Sequence, residues 1–364
     1  MKKLLTTILS VLLVFSLVAC GSAKTSQGSS TSSSSGNLIG VSMPTQSLQR
    51  WNQDGANMKK QLEAKGYTVD LQYANNDVNA QIQSIENMIT KKCKVIVIAA
   101  VDGSTLTDVL KQAGDNGIKV IAYDRLIMKT SNIDYYATFD NFKVGVIQGQ
   151  YIEDKLGLKD GKGPFNIELF GGSPDDNNAT FFFNGAMSIL KPYITSGKLV
   201  VGSNQKDFNT IAIQAWDSSK AEARMDNLLT STYAKGAKLD VILSPNDSLA
   251  IGIVAALKNA GYGSAAKPYP VLTGQDCDKP NVIAMINGQQ SMSIFKDTRT
   301  LATKVVGMVN SIVTGKKADV TDTKTYNNGV KIVPSFLCEP IYADKSSYKK
   351  ILIDSGYYKE ADLK

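Results

Sequence analysis

The sequence predicts an α/β protein made of two doubly wound parallel-sheet lobes joined by a hinge. Continuous apolar strands alternate with amphipathic helices from residue 38 onward, which is typical of a parallel sheet covered on both faces. The alternation begins again after Asn141, so the second half repeats the plan of the first. The body from residue 38 to residue 364 is also too long for one compact core.

The first half contains a regular series of strands and helices. Strands are predicted at residues 38–43, 68–73, 95–100, 120–123 and 135–139. Helices are predicted at residues 50–65, 80–92 and 104–113. In the helix at 80–92, Ile82, Ile85 and Ile89 fall on one face, as the 3.6-residue helical period requires.

The second half continues the alternation. Helices are predicted at residues 144–156, 178–194, 221–229 and 249–257, and strands at 165–170, 199–201, 241–243, 271–273 and 291–295. A last helix at 301–313 is expected to pack back on the first lobe. The first predicted lobe consists of residues 38–142 and 297–327. The second consists of residues 143–296 and 328–364. A cleft between the lobes would be crossed by a few extended segments that serve as hinges.

Residues 1–19 are typical of a secretory signal. Lys2 and Lys3 precede an apolar run, and Cys20 follows directly after the small residue Ala19. This junction resembles a bacterial lipobox, and it predicts cleavage before Cys20 and lipidation of its sulfur. The alternative is an ordinary signal with an incidental cysteine. Residues 20–37 are rich in Ser and Gly and predict a flexible tether, so the body is expected outside the cytoplasm, anchored to the cell membrane.

Composition excludes several classes of function. The chain has no histidine, which removes Ser-His-Asp and Cys-His catalysis and any His-ligated metal. Cys93, Cys277 and Cys338 are not spaced as a zinc site, and Cys277 is expected to be a buried small residue rather than a reactive thiol. The net charge of +7 is mild, and no basic run alternates with aromatic residues, so nucleic acid is not an expected partner.

Polar and aromatic side chains collect at the predicted strand ends, where ligands of open α/β sheets bind. These positions are Arg50, Trp51, Asp124, Arg125, Asp176, Asn177, Asn178, Asn246, Asp247, Gln275, Asp276 and Lys296, and Trp216 lies in a loop before a predicted helix. Carboxylates accept hydrogen bonds from hydroxyl groups, cations donate to them, and a flat ring can cover the C–H face of a pyranose. The count of three carboxylates at Asp124, Asp176 and Asp276 against three cations favours a neutral sugar.

Each of these features has a simpler explanation. Asp124 and Arg125 could form a surface ion pair, and Asn246 with Asp247 could serve only as a helix N-cap. Asp175 and Asp176 could be a glycosidase pair, although adjacent residues on an extended loop usually point apart. The two tryptophans could belong to the core or to the lobe interface.

Seven segments of the sequence carry a family pattern: VSMPTQSLQRW, VIAYDRLI, YYATFDNFKVG, GPFNIELFGGSPDDNNA, MDNLL, GQD and SIFKDTR. Together they resemble the ChvE-type multiple-sugar receptors and the xylose-binding proteins, which belong to the ribose/galactose-type periplasmic binding proteins. The resemblance implies the type I fold of these proteins and an aldopyranose ligand such as xylose, glucose or galactose. It implies a ligand-binding set of Arg50, Trp51, Asp124, Arg125, Asp176, Asn178, Trp216, Asn246, Asp276 and Lys296. Residues 205–214 depart from the family pattern, which makes Trp216 the least secure member.

The sequence therefore predicts a non-catalytic, monomeric, lipid-anchored receptor without a cofactor or metal. It would close on a neutral monosaccharide and deliver it to the membrane permease of an ABC transporter. In the alternative function, the closed form is presented to a chemoreceptor or sensor kinase. A sugar-processing enzyme using two cleft carboxylates ranks lower, because no histidine base accompanies them. A repressor effector domain conflicts with the export signal and with the lack of a DNA-binding headpiece.

Overall fold

Parallel sheets with helices on both faces form the body of the protein. The computed structural model describes residues 37–363. The predicted signal, Cys20 and all but the last residue of the predicted tether lie outside the described residues. Across residues 37–363, no helix has the length and apolar character that crossing a membrane requires.

Strands and helices alternate along the described chain. The strands are β1 (Leu38–Met43), β2 (Thr68–Tyr73), β3 (Val95–Ile98), β4 (Lys119–Tyr123), β5 (Tyr135–Phe139), β6 (Phe165–Leu169), β7 (Leu199–Val201), β8 (Val241–Leu243), β9 (Val271–Leu272), β10 (Met292–Phe295), β11 (Ser335–Cys338) and β12 (Ile341–Asp344). The helices are α1 (Gln49–Ala64), α2 (Val78–Thr90), α3 (Thr107–Asp115), α4 (Asn141–Leu156), α5 (Asn177–Thr195), α6 (Phe208–Ile211), α7 (Ser218–Ser231), α8 (Asp247–Asn259), α9 (Lys279–Ile286) and α10 (Thr298–Val313). Short helical turns add Gln214–Trp216, Lys349–Ile353 and Glu360–Leu363.

The first lobe is built on a six-stranded parallel sheet in the order β11-β5-β4-β3-β1-β2. Successive side chains of a strand point to opposite faces, so Val95 and Val97 pack with α1 and α10 while Ile96 and Ile98 pack with α2 and α3. Both faces are therefore apolar. This explains why the strands appear in the sequence as continuous apolar runs.

The second lobe has a four-stranded parallel sheet in the order β7-β6-β8-β9. A parallel bridge between Gln275 and Ile294 continues this sheet to β10, which pairs antiparallel with β12. Buried residues of α7 and α8 cover one face of the sheet, and Ile152, Ala186 and Leu190 of α4 and α5 cover the other. The predicted architecture of two parallel-sheet lobes is confirmed.

Three segments carry the chain between the lobes. The first joins β5 to α4 at Asp140, the second joins β10 to α10 at residues 296–297, and the third joins β11 to β12 at residues 339–340. Each segment is only one or two residues long. Short crossings of this kind can act as hinges because a few backbone dihedral angles absorb the rotation of one lobe against the other.

The structure corrects one predicted lobe assignment. Residues 328–364 are predicted to lie in the second lobe, but β11 pairs with β5 in register Ser335 to Tyr136 and forms an edge of the first sheet. Only the chain after β11 returns to the second lobe, where β12 pairs with β10. A strand of four residues carries too little pattern to reveal its sheet.

Two glycines bring α4 and α5 into close contact in the second lobe. A Cβ atom on Gly145 would collide with the carbonyl of Phe182, and one on Gly185 would collide with the carbonyl of Phe142. The backbones of the two helices therefore touch where neither helix carries a side chain. This contact fixes the orientation of α5, whose first residues lie at the cleft.

We expect Gly185→Ala to destabilise the fold, because the added methyl group meets main-chain atoms that cannot move aside. Overpacking of this kind costs about 1–3 kcal/mol. Gly307→Ala in α10 is the matched control, since that exposed helical position has open space around it, and it should gain up to about 1 kcal/mol from helix propensity. Urea unfolding of both variants measures the difference. Equal stabilities would contradict the close contact.

Candidate ligand-binding site

The carboxyl ends of strands from both lobes enclose one cavity. The space between its walls, counted together with the solvent at its mouth, is about 420 Å³. The residues around it lie in loops that follow strands, or in the first two turns of the helices after those loops, in both lobes. They are Leu48, Arg50, Trp51, Asp124, Arg125, Asp176, Phe182, Trp216, Asn246, Ser248, Gln275, Asp276, Asp278 and Lys296.

Arg50 is the most heavily paired residue of the cavity. Its Nε lies 2.9 Å from Asp54 Oδ2, and its Nη2 lies 2.6 Å from Asp124 Oδ2. Its Nη1 crosses the cleft to Asp276 Oδ1 at 3.3 Å. The side chain is 7% exposed, so these pairs form almost out of contact with water. Removing one partner of such a buried pair would leave an uncompensated charge.

Asp54 and Tyr123 lie behind Arg50, away from the cavity. Asp54 is fully buried, and the Tyr123 hydroxyl donates a hydrogen bond to its Oδ1. Burial raises the pKa of Asp54 to about 6, although the attraction of Arg50 opposes this shift. Asp54 was not predicted from the sequence. Its position four residues after Arg50 on the same helix was the available signal.

Asp124 has an unusual backbone conformation that its carbonyl group stabilises. Its φ is +59°, in the left-handed region. The carbonyl oxygen accepts hydrogen bonds from Tyr136 Oη at 2.6 Å, Thr138 Oγ1 at 3.0 Å and Asn178 Nδ2 at 2.7 Å. Burial raises the pKa of the carboxyl group, but the cations Arg50 and Lys296 outweigh burial and hold the pKa below its ordinary value. Asp124 is therefore a carboxylate that accepts hydrogen bonds.

Arg125 and Asp176 form the second cross-lobe ion pair. Arg125 Nη1 donates to the carbonyl oxygens of Ala100 and Val101 at 2.9 and 3.2 Å, and Nε lies 3.1 Å from Asp176 Oδ2. Asp176 also caps α5 by accepting from the backbone N–H of Asn178. Burial raises the pKa of Asp176 more than Arg125 lowers it.

Aromatic rings form two parts of the wall. Trp51 has the guanidinium carbons of Arg50 and Arg125 at 4.8 and 5.2 Å from its ring centre. Trp216 packs edge-on against Phe182, with ring centres 6.3 Å apart. Its ring covers Gly172, where any Cβ atom would collide with it. The structure thus brings Trp216, the least secure member of the predicted set, into the cavity wall.

The loop after β9 and the end of β10 supply the remaining charged groups. Lys296 Nζ lies 3.2 Å from Asp276 Oδ1 and 3.8 Å from Asp124 Oδ2, and it is 2% exposed. Asp276 and the next residue, Cys277, have φ values of +98° and +51°. Asn246 caps α8 by accepting from the backbone N–H of Leu249 at 3.0 Å. Its N-cap role and its place in the cavity wall are therefore compatible.

Nine of the ten residues predicted to bind the ligand line the cavity, and Asn178 is the exception. Its amide lies one step behind the wall: Nδ2 donates to the Asp124 carbonyl, and Oδ1 accepts from Asn141 Nδ2 at 2.9 Å. Asn178 thus supports the backbone of Asp124 across the cleft. Contact of the other nine with a ligand remains a prediction.

Four lining residues were not singled out from the sequence: Leu48, Phe182, Ser248 and Asp278. Burial raises the pKa of Asp278 to about 7, and the charge of Asp276 adds to this shift. Asp278 lies two residues after Asp276, where an isolated carboxylate carries no recognisable pattern. Leu48 and Phe182 look like ordinary core positions in the sequence.

Arg125 Nε meets Asp176 only as an ion pair, and three further buried polar atoms of the lining residues have no hydrogen-bond partner among the described residues. They are Trp216 Nε1, Gln275 Oε1 and Asp278 Oδ1. One is a donor and two are acceptors. A buried polar group without a partner costs about 1–3 kcal/mol. A ligand rich in hydroxyl groups can both accept and donate, so it would satisfy all three.

Comparisons with known proteins agree with this architecture. A periplasmic binding protein domain matches residues 39–317. The chain belongs to this family. It is 58% identical over 326 residues to the multiple sugar-binding periplasmic receptor ChvE of Rhizobium radiobacter, covering 90% of this chain and 92% of that protein. It is 36% identical to the D-xylose-binding periplasmic protein of Escherichia coli strain K12, covering 89% and 92%.

A solved structure is similar over the same range. The ABC transporter solute binding protein of Clostridium phytofermentans, with bound β-D-glucose, is 56% identical with a TM-score of 0.87, and the match covers 90% of this chain and all of that one. The resemblance stated from the sequence is thereby confirmed. In this periplasmic binding protein, the carboxyl ends of the strands of one lobe face those of the other lobe, and the cavity lies between them.

The three cysteines in the described part of this periplasmic binding protein do not line the cavity. Cys93, Cys277 and Cys338 are free and buried in the described part of the chain. Burial raises the pKa of Cys277 well above its ordinary value, which disfavours the thiolate. The expectation of a buried, unreactive Cys277 agrees with this environment. Within residues 37–363, no cluster of acidic or sulfur side chains suits a metal ion.

The raised pKa of Asp278 predicts a pH-dependent stability difference for Asp278→Asn. The carboxyl group is protonated more readily in the folded protein than at its ordinary pKa of 3.8, so its ionisation lowers stability as the pH rises from about 4 to about 7. The free energy of unfolding of the variant should equal that of the wild type near pH 4 and exceed it above pH 7, by at most about 4 kcal/mol.

Thermal unfolding of the sugar-free protein at pH 4, 6 and 8 measures this difference. Asp226→Asn on the exposed face of α7 is the matched control and should show no such trend. A gain that is the same at pH 4 and pH 8 would show that burial of the Asp278 charge is not its cause.

Proposed function

We propose that this protein is the extracytoplasmic receptor of an ABC sugar transporter. It captures a neutral aldopyranose such as glucose or xylose between its lobes and delivers it to a membrane permease. The observation that carries the proposal is the cavity itself, which is closed by both lobes and lined by two tryptophans, paired charges and three polar atoms without partners. The sugar-binding relatives, which this chain matches over at least 92% of their length, support the same ligand class.

The charges of the cavity favour a neutral ligand. Asp124, Asp176, Asp276 and Asp278 are opposed by three cations, so a sugar phosphate would meet a surplus of negative charge. The raised pKa of Asp278 allows it to be partly protonated near pH 7, which brings the count back toward balance. Each cation is already paired with a carboxylate. The carboxylate oxygens keep further lone pairs, and the hydroxyl groups of a ligand can donate hydrogen bonds to them.

Ligand capture works through closure of the lobes. A sugar that contacts groups from both lobes binds the closed form more tightly than the open form, and this difference shifts the population toward closure. Arg50, Trp51 and Asp124 come from the first lobe, while Asp176 and Trp216 come from the second. The tryptophan rings would cover the apolar C–H faces of the pyranose, and the charged groups would bond its hydroxyl edge.

Isothermal titration with glucose, xylose, galactose, arabinose and ribose tests the sugar ligand. We expect one-to-one binding of an aldopyranose by protein purified without residues 1–19, with the sugar recovered unchanged. Asp276→Asn should weaken binding by about 10–100-fold, because an acceptor to the sugar and a partner of Arg50 and Lys296 are lost.

Asp175→Asn is the matched control for the binding experiment. Asp175 adjoins the cavity residue Asp176 in the chain, but its carboxylate accepts from Ser173 and Gln214 outside the cavity. Its Kd should match that of the wild type. The absence of binding to every sugar would reject the neutral-monosaccharide proposal, and a chemically altered sugar would favour an enzyme instead.

The lipid anchor is the second part of the proposal. Cleavage before Cys20 and acylation of its sulfur would hold the body near the membrane that contains the permease. We expect Cys20→Ser to abolish palmitate labelling and to move the protein from the membrane fraction into the soluble fraction. Ser26→Ala in the same segment is the control and should stay membrane-bound. Continued labelling of Cys20→Ser would reject the anchor.

A further inference from the structure

The C-terminal segment of the protein packs beneath the cavity. Its turn at Lys349–Ile353 is followed by Tyr357 and Tyr358, and Tyr358 is 4% exposed. Tyr358 shares an apolar cluster with residues of the second lobe. The cluster consists of Cys277, Val282, Met285, Phe295, Ala343, Leu352, Tyr358 and Leu363. The ring of Tyr358 therefore belongs to the second lobe.

The hydroxyl group of Tyr358 bonds to both lobes. It donates to the carbonyl oxygen of Cys277 at 2.9 Å in the second lobe. It accepts from Gln49 Nε2 at 2.8 Å and from Gln53 Nε2 at 3.3 Å, both on α1 of the first lobe. A phenol has one donor hydrogen and two acceptor positions, so these three bonds use its full capacity. Gln49 makes a second cross-lobe bond, since its Oε1 accepts from the Lys279 N–H at 3.3 Å.

The residues that bond to the Tyr358 hydroxyl are adjacent in the chain to residues that line the cavity. Gln49 directly precedes Arg50, and Cys277 lies between Asp276 and Asp278. Arg50 and Asp276 form the ion pair that crosses the cavity at 3.3 Å. Cys277 has a φ of +51°, a conformation that an L-residue adopts only when its surroundings hold it. Tyr358 Oη holds its carbonyl group, and Ser293 Oγ accepts from its N–H at 3.0 Å.

We infer that Tyr358 is a positioning residue for ligand binding. Its hydroxyl joins the segment that carries Arg50 to the loop that carries Asp276 and Asp278 when the lobes close, without lining the cavity itself. The inference rests on the proposed function, in which closure on a sugar is the binding event. Bonds that exist only in the closed form raise its population, and the apparent affinity rises with that population.

A double-mutant cycle of Tyr358→Phe and Gln49→Ala tests this role with glucose and xylose as probes. Tyr358→Phe keeps the buried ring and removes only the hydroxyl. Each single variant should raise Kd about 3–10-fold, mainly through faster dissociation, and the double variant should be weakened by less than the product of the two. The sugar-free unfolding midpoints of the four proteins should show weaker coupling, because only the closed fraction of the sugar-free molecules makes the Gln49 to Tyr358 bond.

Tyr348→Phe is the matched control, since its half-buried ring lies in the same apolar cluster and the described residues give its hydroxyl no hydrogen bond. It should leave Kd unchanged. Two outcomes would overturn the inference and leave Tyr358 as a stabilising residue only. In the first, the effects of Tyr358→Phe and Gln49→Ala on Kd are simply multiplicative. In the second, the two substitutions are coupled as strongly in the sugar-free unfolding midpoints as in Kd.

A distance measurement separates failure of this inference from failure of the proposed function. If the wild type binds none of the five sugars titrated above, the proposed function fails, and the inference is then decided in the sugar-free protein. Spin labels at Gln46→Cys and Lys220→Cys, two exposed positions on opposite lobes, report the fraction of closed molecules. Tyr358→Phe must lower that fraction relative to Tyr348→Phe. An unchanged distance distribution would reject the inference.

Discussion

The guanidinium group of Arg50 organises the cavity, because three carboxylates from three different parts of the chain converge on it. Asp54 comes from the same helix, Asp124 from the end of β4, and Asp276 from the other lobe. A buried cation is tolerated only if its charge and its donors are matched. The positions of α1, the β4 loop and the β9 loop are therefore interdependent, and a change in any one of them would leave a charge without its partner.

Backbone strain is concentrated where the loops turn into this network. Asp124, Trp216, Asp276 and Cys277 all have positive φ. Such conformations cost on the order of 1–3 kcal/mol each and persist only where surrounding bonds hold them. At Asp124 the three bonds to its carbonyl oxygen do this, and one of them comes from Asn178 across the cleft. The residues behind the wall are thus as important to its shape as the residues that form it.

The sequence predicted what depends on local pattern. Strand ends are visible as the abrupt change from an apolar run to polar residues, and this pattern located Asp124, Arg125, Asp276 and Lys296 in the wall. It could not separate Asn178 from Asp176, because a difference of two residues at the start of α5 decides which side chain reaches the cavity. It also missed Asp54 and Asp278, whose environment arises only when distant segments fold together. The edge strand β11 was assigned to the wrong lobe, because its partner is decided by chain crossings that no periodicity records.

The cross-lobe ion pairs explain how a neutral sugar can control closure. When the lobes separate, Arg50 loses Asp276 and Arg125 loses Asp176, but each charge regains water. Because desolvation of paired charges offsets much of their attraction, these pairs add little to the balance between open and closed forms. Their geometry nevertheless aligns Arg50 with Asp276 and Arg125 with Asp176 across the closed cleft. The free energy of closure then depends on neutral contacts, namely the hydroxyl groups of the ligand and the bonds of Tyr358. Small differential contacts can shift an equilibrium that is already close to balanced, whereas a strongly self-adhesive cleft would close without a ligand.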